Sequence, residues 1–180
     1  MTYKDIPGYC DFHDFYKWAF DQLPEKGTFV EVGVFMGHSV AYMATLAEKA
    51  RKKINVVAVD TFEGSHEHRL KGITGFYDQF MSNILACKFN YIDLIAVTPN
   101  EAAAIDGPVD FVYIDAAHDY ESVKTDIAAW CQKVKPGGII AGHDYCEAWP
   151  GVKKAVDEAF QNRQLTSKSV WFTIKHGQTS

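Results

Sequence analysis

The stretch Thr28-Phe-Val-Glu-Val-Gly-Val-Phe-Met-Gly-His-Ser39 reads as a strand that turns through glycine into a helix. Its first half, TFVEVGV, is a short β-rich run. Beyond Gly37 the period changes, and Val40, Ala41, Ala44, Ala47 and Ala50 share one helical face. Residues 54–60 (INVVAVD) form a second strand that ends on Asp60. Strand, glycine turn, amphipathic helix and strand in that order make a β-α-β unit, so the sheet is expected to be parallel.

The alternation continues downstream. Tyr91–Val97 is a third strand leading into Thr98–Ile105, and Val109–Asp115 a fourth, followed by a helix carrying Tyr120, Val123, Ile127 and Trp130. Pro136-Gly137-Gly138 is expected to turn the chain into a fifth strand, Ile139–Gly142. Pro150 suits a helix start, and Val152, Ala155, Val156, Ala159 and Phe160 give that helix an apolar face. Ser169–Lys175 is the final strand, which leaves only Gln164–Ser167 for a shortened sixth. Upstream, Phe12, Phe15, Tyr16, Ala19 and Leu23 recur at helical spacing until Pro24, so residues 1–27 carry a covering helix. The expected fold is α/β and Rossmann-like: a mostly parallel central sheet with helices on both faces, one domain over residues 1–180. Residues 61–90 interrupt it, with Phe76, Phe80, Ile84 and Leu85 at helical spacing after a polar part holding His66, Glu67, His68, Arg69 and Lys71. This insertion reads either as a substrate lid or as a surface insertion with a packed helix.

At 180 residues, with 47% hydrophobic and 23% charged residues, one core suffices without a disulfide or structural metal. The net charge of −5 provides no basic field for a phosphate backbone, so nucleic acid is not an expected partner. Cys10, Cys87, Cys131 and Cys146 lie far apart with no C-x-x-C pair, and MTYKDIPGYC lacks an apolar signal core. These features read as cytoplasmic. No apolar run is long enough for a membrane span. A homodimer would use the aromatic N-terminal helix or the edge near Val170–Ile174, although both could instead complete the monomer's core.

Open parallel sheets bind ligands at the carboxyl ends of their strands. Four ends are polar here: Glu31–Ser39, Asp60, Asp115–His118 and His143–Asp144. The loop Glu31-Val-Gly33-Val-Phe-Met-Gly37-His-Ser39 permits a tight turn and close ligand approach at a helix start. It is neither G-x-G-x-x-G nor a Walker loop. Asp60 adds a carboxylate able to accept two hydrogen bonds from vicinal ribose hydroxyls. Together these features describe a nucleoside site with an additional anionic group.

On these residues the chain resembles the class I S-adenosylmethionine-dependent methyltransferases, particularly the small family called methyltransferase domain 24. FVEVGVFMGHS resembles the first cofactor motif and VAVDTFEG the second-strand motif. FVYIDAAHDYESVKTDIAAW with VKPGGIIAGHDY resembles the most specific later block. The resemblance implies that Glu31, Gly33, Gly37 and Ser39 surround the methionine part of S-adenosylmethionine. It further implies that Asp60 binds the ribose, that Asn100, Glu101 and Ala102 lie near the adenine, and that Asp115 borders the cofactor. Glu31 either contacts the cofactor or orients the loop.

Metal-dependent sugar and catechol O-methyltransferases resemble the chain at the same strand ends. That resemblance implies a divalent ion, magnesium or another, at Asp115, His143 and Asp144, and His118 as the catalytic base. His143 departs from it, because those enzymes carry an acid there, and imidazole suits manganese, iron or zinc better than magnesium. The expected function is methyl transfer from S-adenosylmethionine to a small hydroxylated acceptor such as a sugar. The alternatives are a metal-dependent hydrolase using Asp115, His143 and Asp144 on water, and a non-catalytic S-adenosylmethionine-binding module. The fourth strand ends Asp115-Ala116-Ala117-His118. It lacks the [DNS]-P-P-[YFW] signature of nucleic-acid amino methylation.

Overall fold

A computed structural model of the chain describes residues 1–64, 74–105 and 107–176. Among the described residues seven strands form one sheet in the order β3-β2-β1-β4-β5-β7-β6. They are β1 (Gly27–Val32), β2 (Ile54–Val59), β3 (Ile92–Val97), β4 (Val109–Ile114), β5 (Val134–Gly142), β6 (Gln164–Leu165) and β7 (Trp171–Ile174). The first five run parallel; β7 is antiparallel to β5 and to the two-residue β6. The expected mostly parallel sheet and shortened sixth strand are both present.

Strict alternation along the strands builds two cores. Phe29, Phe111, Tyr113, Ile139 and Ala141 face one side, with α1 (His13–Gln22), α2 (His38–Ala50) and α3 (Tyr77–Cys87). Val30, Val32, Val112, Ile114 and Ile140 face the other. There they meet α4 (Pro99–Ala102), α5 (Tyr120–Lys133) and α6 (Pro150–Ala159). Strands buried on both faces must be apolar throughout, which is why β1, β2 and β4 read as near-continuous hydrophobic runs.

The structure departs from expectation at two places. Pro136-Gly137-Gly138 lies inside β5 rather than before it. Val134 pairs with Val109 and Ile139 with Phe111, so Lys135–Gly138 form a bulge, whose Gly137 N–H donates to the Lys175 carbonyl. Leu85 stands exposed on α3, while Phe80 and Ile84 are buried. Of the 61–90 insertion, residues 61–64 and 74–90 are described; His66, Glu67, His68, Arg69 and Lys71 lie outside the described residues. Trp18 of α1 packs on Phe172 of β7 at 5.1 Å, joining the two surfaces considered for dimerisation within one chain. Among the described residues no helix is long and apolar enough to cross a membrane.

Candidate active site

A cleft of about 970 Å³ opens at the carboxyl ends of β1, β2 and β4. Gly33, Asp60, Asp115 and His118 line it, together with Phe35, Phe76, Pro99, Asp126 and Trp149. Parallel pairing places these groups side by side. Asp115 N–H donates to the Val32 carbonyl, and His143 N–H to that of Ile114.

Gly33 is where the chain leaves β1, at φ +93°. A Cβ there would lie 2.1 Å from the Asp115 carbonyl oxygen, so only glycine lets the ends of β1 and β4 close together. Gly37 caps α2 at φ +91°, its missing Cβ directed at Phe80 and Ile84 of α3. It therefore serves packing, and neither Gly37 nor Ser39 lines the cleft. Asp60 accepts the Phe35 N–H on one oxygen and the Phe62 N–H on the other, each at 2.9 Å. Both phenylalanines have positive φ, a conformation rare for bulky side chains, so the acid holds a strained turn around itself. Its remaining lone pairs can still accept hydroxyl protons.

Glu31 is fully buried on the α1/α2 side of β1. Tyr16 OH donates to Oε2 at 2.9 Å and Ser39 OH to Oε1. It orients the loop through hydroxyls rather than facing the cleft. Burial pushes its carboxyl up to about 8, against the pull of the two hydroxyls. The unfolded chain releases this proton near pH 4.5, while the folded protein keeps it until about 8. Stability therefore falls as pH rises through that window, by a few kcal/mol, because there the folded state binds more protons. Glu31→Gln imitates the protonated acid and is expected to flatten this slope and to be more stable than the parent at pH 8. Urea midpoints at pH 5 and 8 measure it; parallel curves for the two proteins would refute the assignment.

At the β4 and β5 ends, His118 Nε2 lies 2.8 Å from Asp144 Oδ2. The His118 ring stacks on Trp149, with centroids 3.9 Å apart and planes at 19°. Asp144 adopts φ +61°, which turns its second oxygen to His143 Nδ1 at 3.2 Å. The other His143 nitrogen, Nε2, meets Asp11 Oδ1 at 3.1 Å. Burial lowers the His143 pKa, but Asp144, Asp115 and Asp11 overcome it and raise it to about 9. Burial likewise works to raise Asp144 and is outweighed by His118 and His143, which hold it well below the carboxylate range. Asp115 is pushed up to about 6 by burial, against the pull of His143.

The four residues expected at these strand ends are thus brought together, in different roles. His143 has a carboxylate at each of its nitrogens. Asp115, His118 and Asp144 instead present ligand atoms all within 4.8 Å of one another. Two carboxylates and an imidazole fit a divalent transition ion better than magnesium.

Of the segment expected near the adenine, Pro99 rather than Asn100, Glu101 or Ala102 lines the cleft. Glu101 accepts from Thr98 N and Oγ1 in a capping box, and Ala102 is buried in the second core. Asp11 and Asp126 carried no sequence signal at all. Tyr120 OH donates to Glu158 and Tyr145 OH to Asp157, and neither ring lines the cleft.

The sheet order, the glycine exit from β1 and the acid ending β2 define a class I S-adenosylmethionine-dependent methyltransferase fold. A family model described as a methyltransferase domain, Methyltransf_24, matches residues 30–145, and the chain belongs to that family. An uncharacterized protein, R132, of Acanthamoeba polyphaga mimivirus is 31% identical over 136 residues, covering 73% of this chain. The match spans 58% of that relative's length. The O-methyltransferase NovP superposes with a TM-score of 0.73 at 18% identity, over 92% of this chain and 79% of its own. An O-methyltransferase from Bacillus cereus in complex with SAH gives 0.62 at 15% identity, over 96% and 86%. Solved structures of the same fold also include an rRNA methylase from Streptococcus thermophilus, so the fold by itself leaves the acceptor open.

Proposed function

We propose that the chain transfers the methyl group of S-adenosylmethionine to a hydroxyl oxygen of a small acceptor, with His118 taking the hydroxyl proton. The observation that carries this reading is that His118, held by Asp144 and stacked on Trp149, opens into the same cleft as Gly33 and Asp60. When bound, the cofactor supplies an activated methyl group on a sulfonium. Asp60 would hold the ribose, and Gly33 would let the amino-acid part approach the β1 end. With Nε2 donating to Asp144, the neutral ring keeps Nδ1 as its basic atom, and Asp144 stabilises the imidazolium that forms. Phe35, Phe76 and Trp149 give the cleft an aromatic lining. A sugar or another polyhydroxylated compound is the acceptor class suggested by resemblance.

A second reading is favoured by the Asp115, His118 and Asp144 cluster: a divalent ion held there would polarise the acceptor hydroxyl, and His118 would be a ligand rather than the base. Family membership removes the ground for the hydrolase alternative. A non-catalytic module would bind cofactor without turnover.

Calorimetric titration with S-adenosylhomocysteine tests the cofactor reading. One-site binding is expected, weakened about 10- to 100-fold in Asp60→Ala by the loss of charge-assisted hydrogen bonds to the ribose. A folded protein that takes up no ligand would overturn it.

A further inference from the structure

The N-terminal segment ahead of α1 is tied down at both ends. Ile6 and Phe12 are buried, whereas Tyr9 between them is 98% exposed. The Ile6 carbonyl meets His38 Nδ1 at 2.8 Å, and Gly8 lies so close to the same residue that an added Cβ would stand 2.7 Å from the His38 Cβ. Among the described residues, 7–11 make no backbone–backbone hydrogen bond. They form a strap from the start of α2 to the end of β5, both on the carboxyl side of the sheet.

At its far end the strap grips His143 twice. Asp11 Oδ1 lies 3.1 Å from Nε2, and the Phe12 ring packs on the imidazole with centroids 5.1 Å apart. His143 Nδ1 lies 3.2 Å from Asp144 Oδ1, and Asp144 Oδ2 lies 2.8 Å from His118 Nε2. A chain of four side chains therefore runs from the strap to His118 in the cleft. The order of dependence follows from the contacts. Without His143, the ring that Asp144 orients would be left to orient Asp144. An imidazole turns readily about its outer torsion, so His143 fixes Asp144 only while something fixes His143. A polar partner on the far nitrogen sets both the tautomer and the direction of such a ring.

We infer that Asp11 is a positioning residue for methyl transfer: by fixing His143 it holds the Asp144 carboxylate and, through it, the His118 ring. The inference rests on the reading of His118 as the base. It adds the N-terminal strap to the strand ends as a part of the working site.

The test reads the His118 Nε2 proton in imidazole nitrogen–proton correlation spectra of the full chain after chelation of divalent ions, with His118→Gln assigning the signal. A proton in a charge-assisted hydrogen bond is held strongly, and its exchange with water is slowed. The parent is expected to show this signal and Asp11→Ala to lose it. Asp11→Asn, which keeps an acceptor oxygen for His143 Nε2, should retain it. Affinity for S-adenosylhomocysteine should stay within about twofold in both variants. Melting should fall by no more than about 4 °C, since Asp11 is exposed and exposed ion pairs add little stability. An unchanged His118 signal in Asp11→Ala would overturn the inference and leave His118 as the base. Loss of the signal together with ligand affinity and a larger drop in melting would also overturn it, because the strap would then be a general support of the fold. Complete loss in Asp11→Asn would overturn positioning through that hydrogen bond. Absence of the signal from the folded parent would overturn both the inference and the tautomer assigned to the base.

Discussion

Gly33→Ala is expected to destabilise the protein by about 2–6 kcal/mol and to abolish binding of S-adenosylhomocysteine. Two independent costs add at this position. An L-residue held at φ +93° carries about 1–3 kcal/mol of backbone strain. The new methyl would also sit 2.1 Å from the Asp115 oxygen and 2.7 Å from the Ala116 Cα, both backbone atoms that no side-chain rotation can move aside. Forcing the two strand ends apart costs roughly another 1–3 kcal/mol. It also displaces Asp115 and, through it, the turn that presents His118. Gly137 supplies the control: its φ is +81°, but a Cβ there meets nothing within 4 Å. Gly137→Ala should therefore lose only the backbone part. Urea unfolding of both variants separates the two costs, and equal losses would show that close approach at Gly33 contributes nothing.

The sheet and its order of elements were readable because strands buried on both faces must be apolar, and because glycines and prolines punctuate them. The Pro136-Gly137-Gly138 bulge was not readable. A bulge and a turn use the same residues, and only pairing with Asp110 and Lys175 on the neighbouring strands distinguishes them. The strand ends could be seen to converge, since parallel register alone makes Asp115 and His143 neighbours. What each side chain does there depended on partners distant in sequence. His143 meets Asp11, 132 positions away, and stands outside the Asp115, His118 and Asp144 group. Glu31 is turned from a cofactor contact into a buried support by Tyr16 and Ser39. Trp149 gains its meaning only through stacking on His118, and Asp126 looks like any polar position on an amphipathic helix until the cleft beside it is seen.

His118→Ala, assayed with an acceptor that the parent protein methylates, is expected to lower kcat by about 10²- to 10⁴-fold, the usual contribution of a positioned base. Affinity for S-adenosylhomocysteine should stay within about twofold, because Asp60 and the Gly33 exit, not His118, would hold the nucleoside and amino-acid parts. That separation identifies a group acting on the acceptor's proton, since a merely structural histidine stacked under Trp149 would weaken ligand binding and turnover together. The same loss would arise if His118 were an ion ligand, so the parent enzyme must be assayed after exhaustive chelation. Full activity without divalent ions makes His118 the base, with Asp144 as the carboxylate that orients it. Activity that vanishes and returns with added manganese or zinc makes Asp115, His118 and Asp144 an ion site, and the acceptor hydroxyl would then lose its proton to solvent from an ion-polarised state. His143 decides how much either arrangement tolerates. Held between Asp11 and Asp144, it fixes the carboxylate on which both depend, although it does not line the large cleft itself.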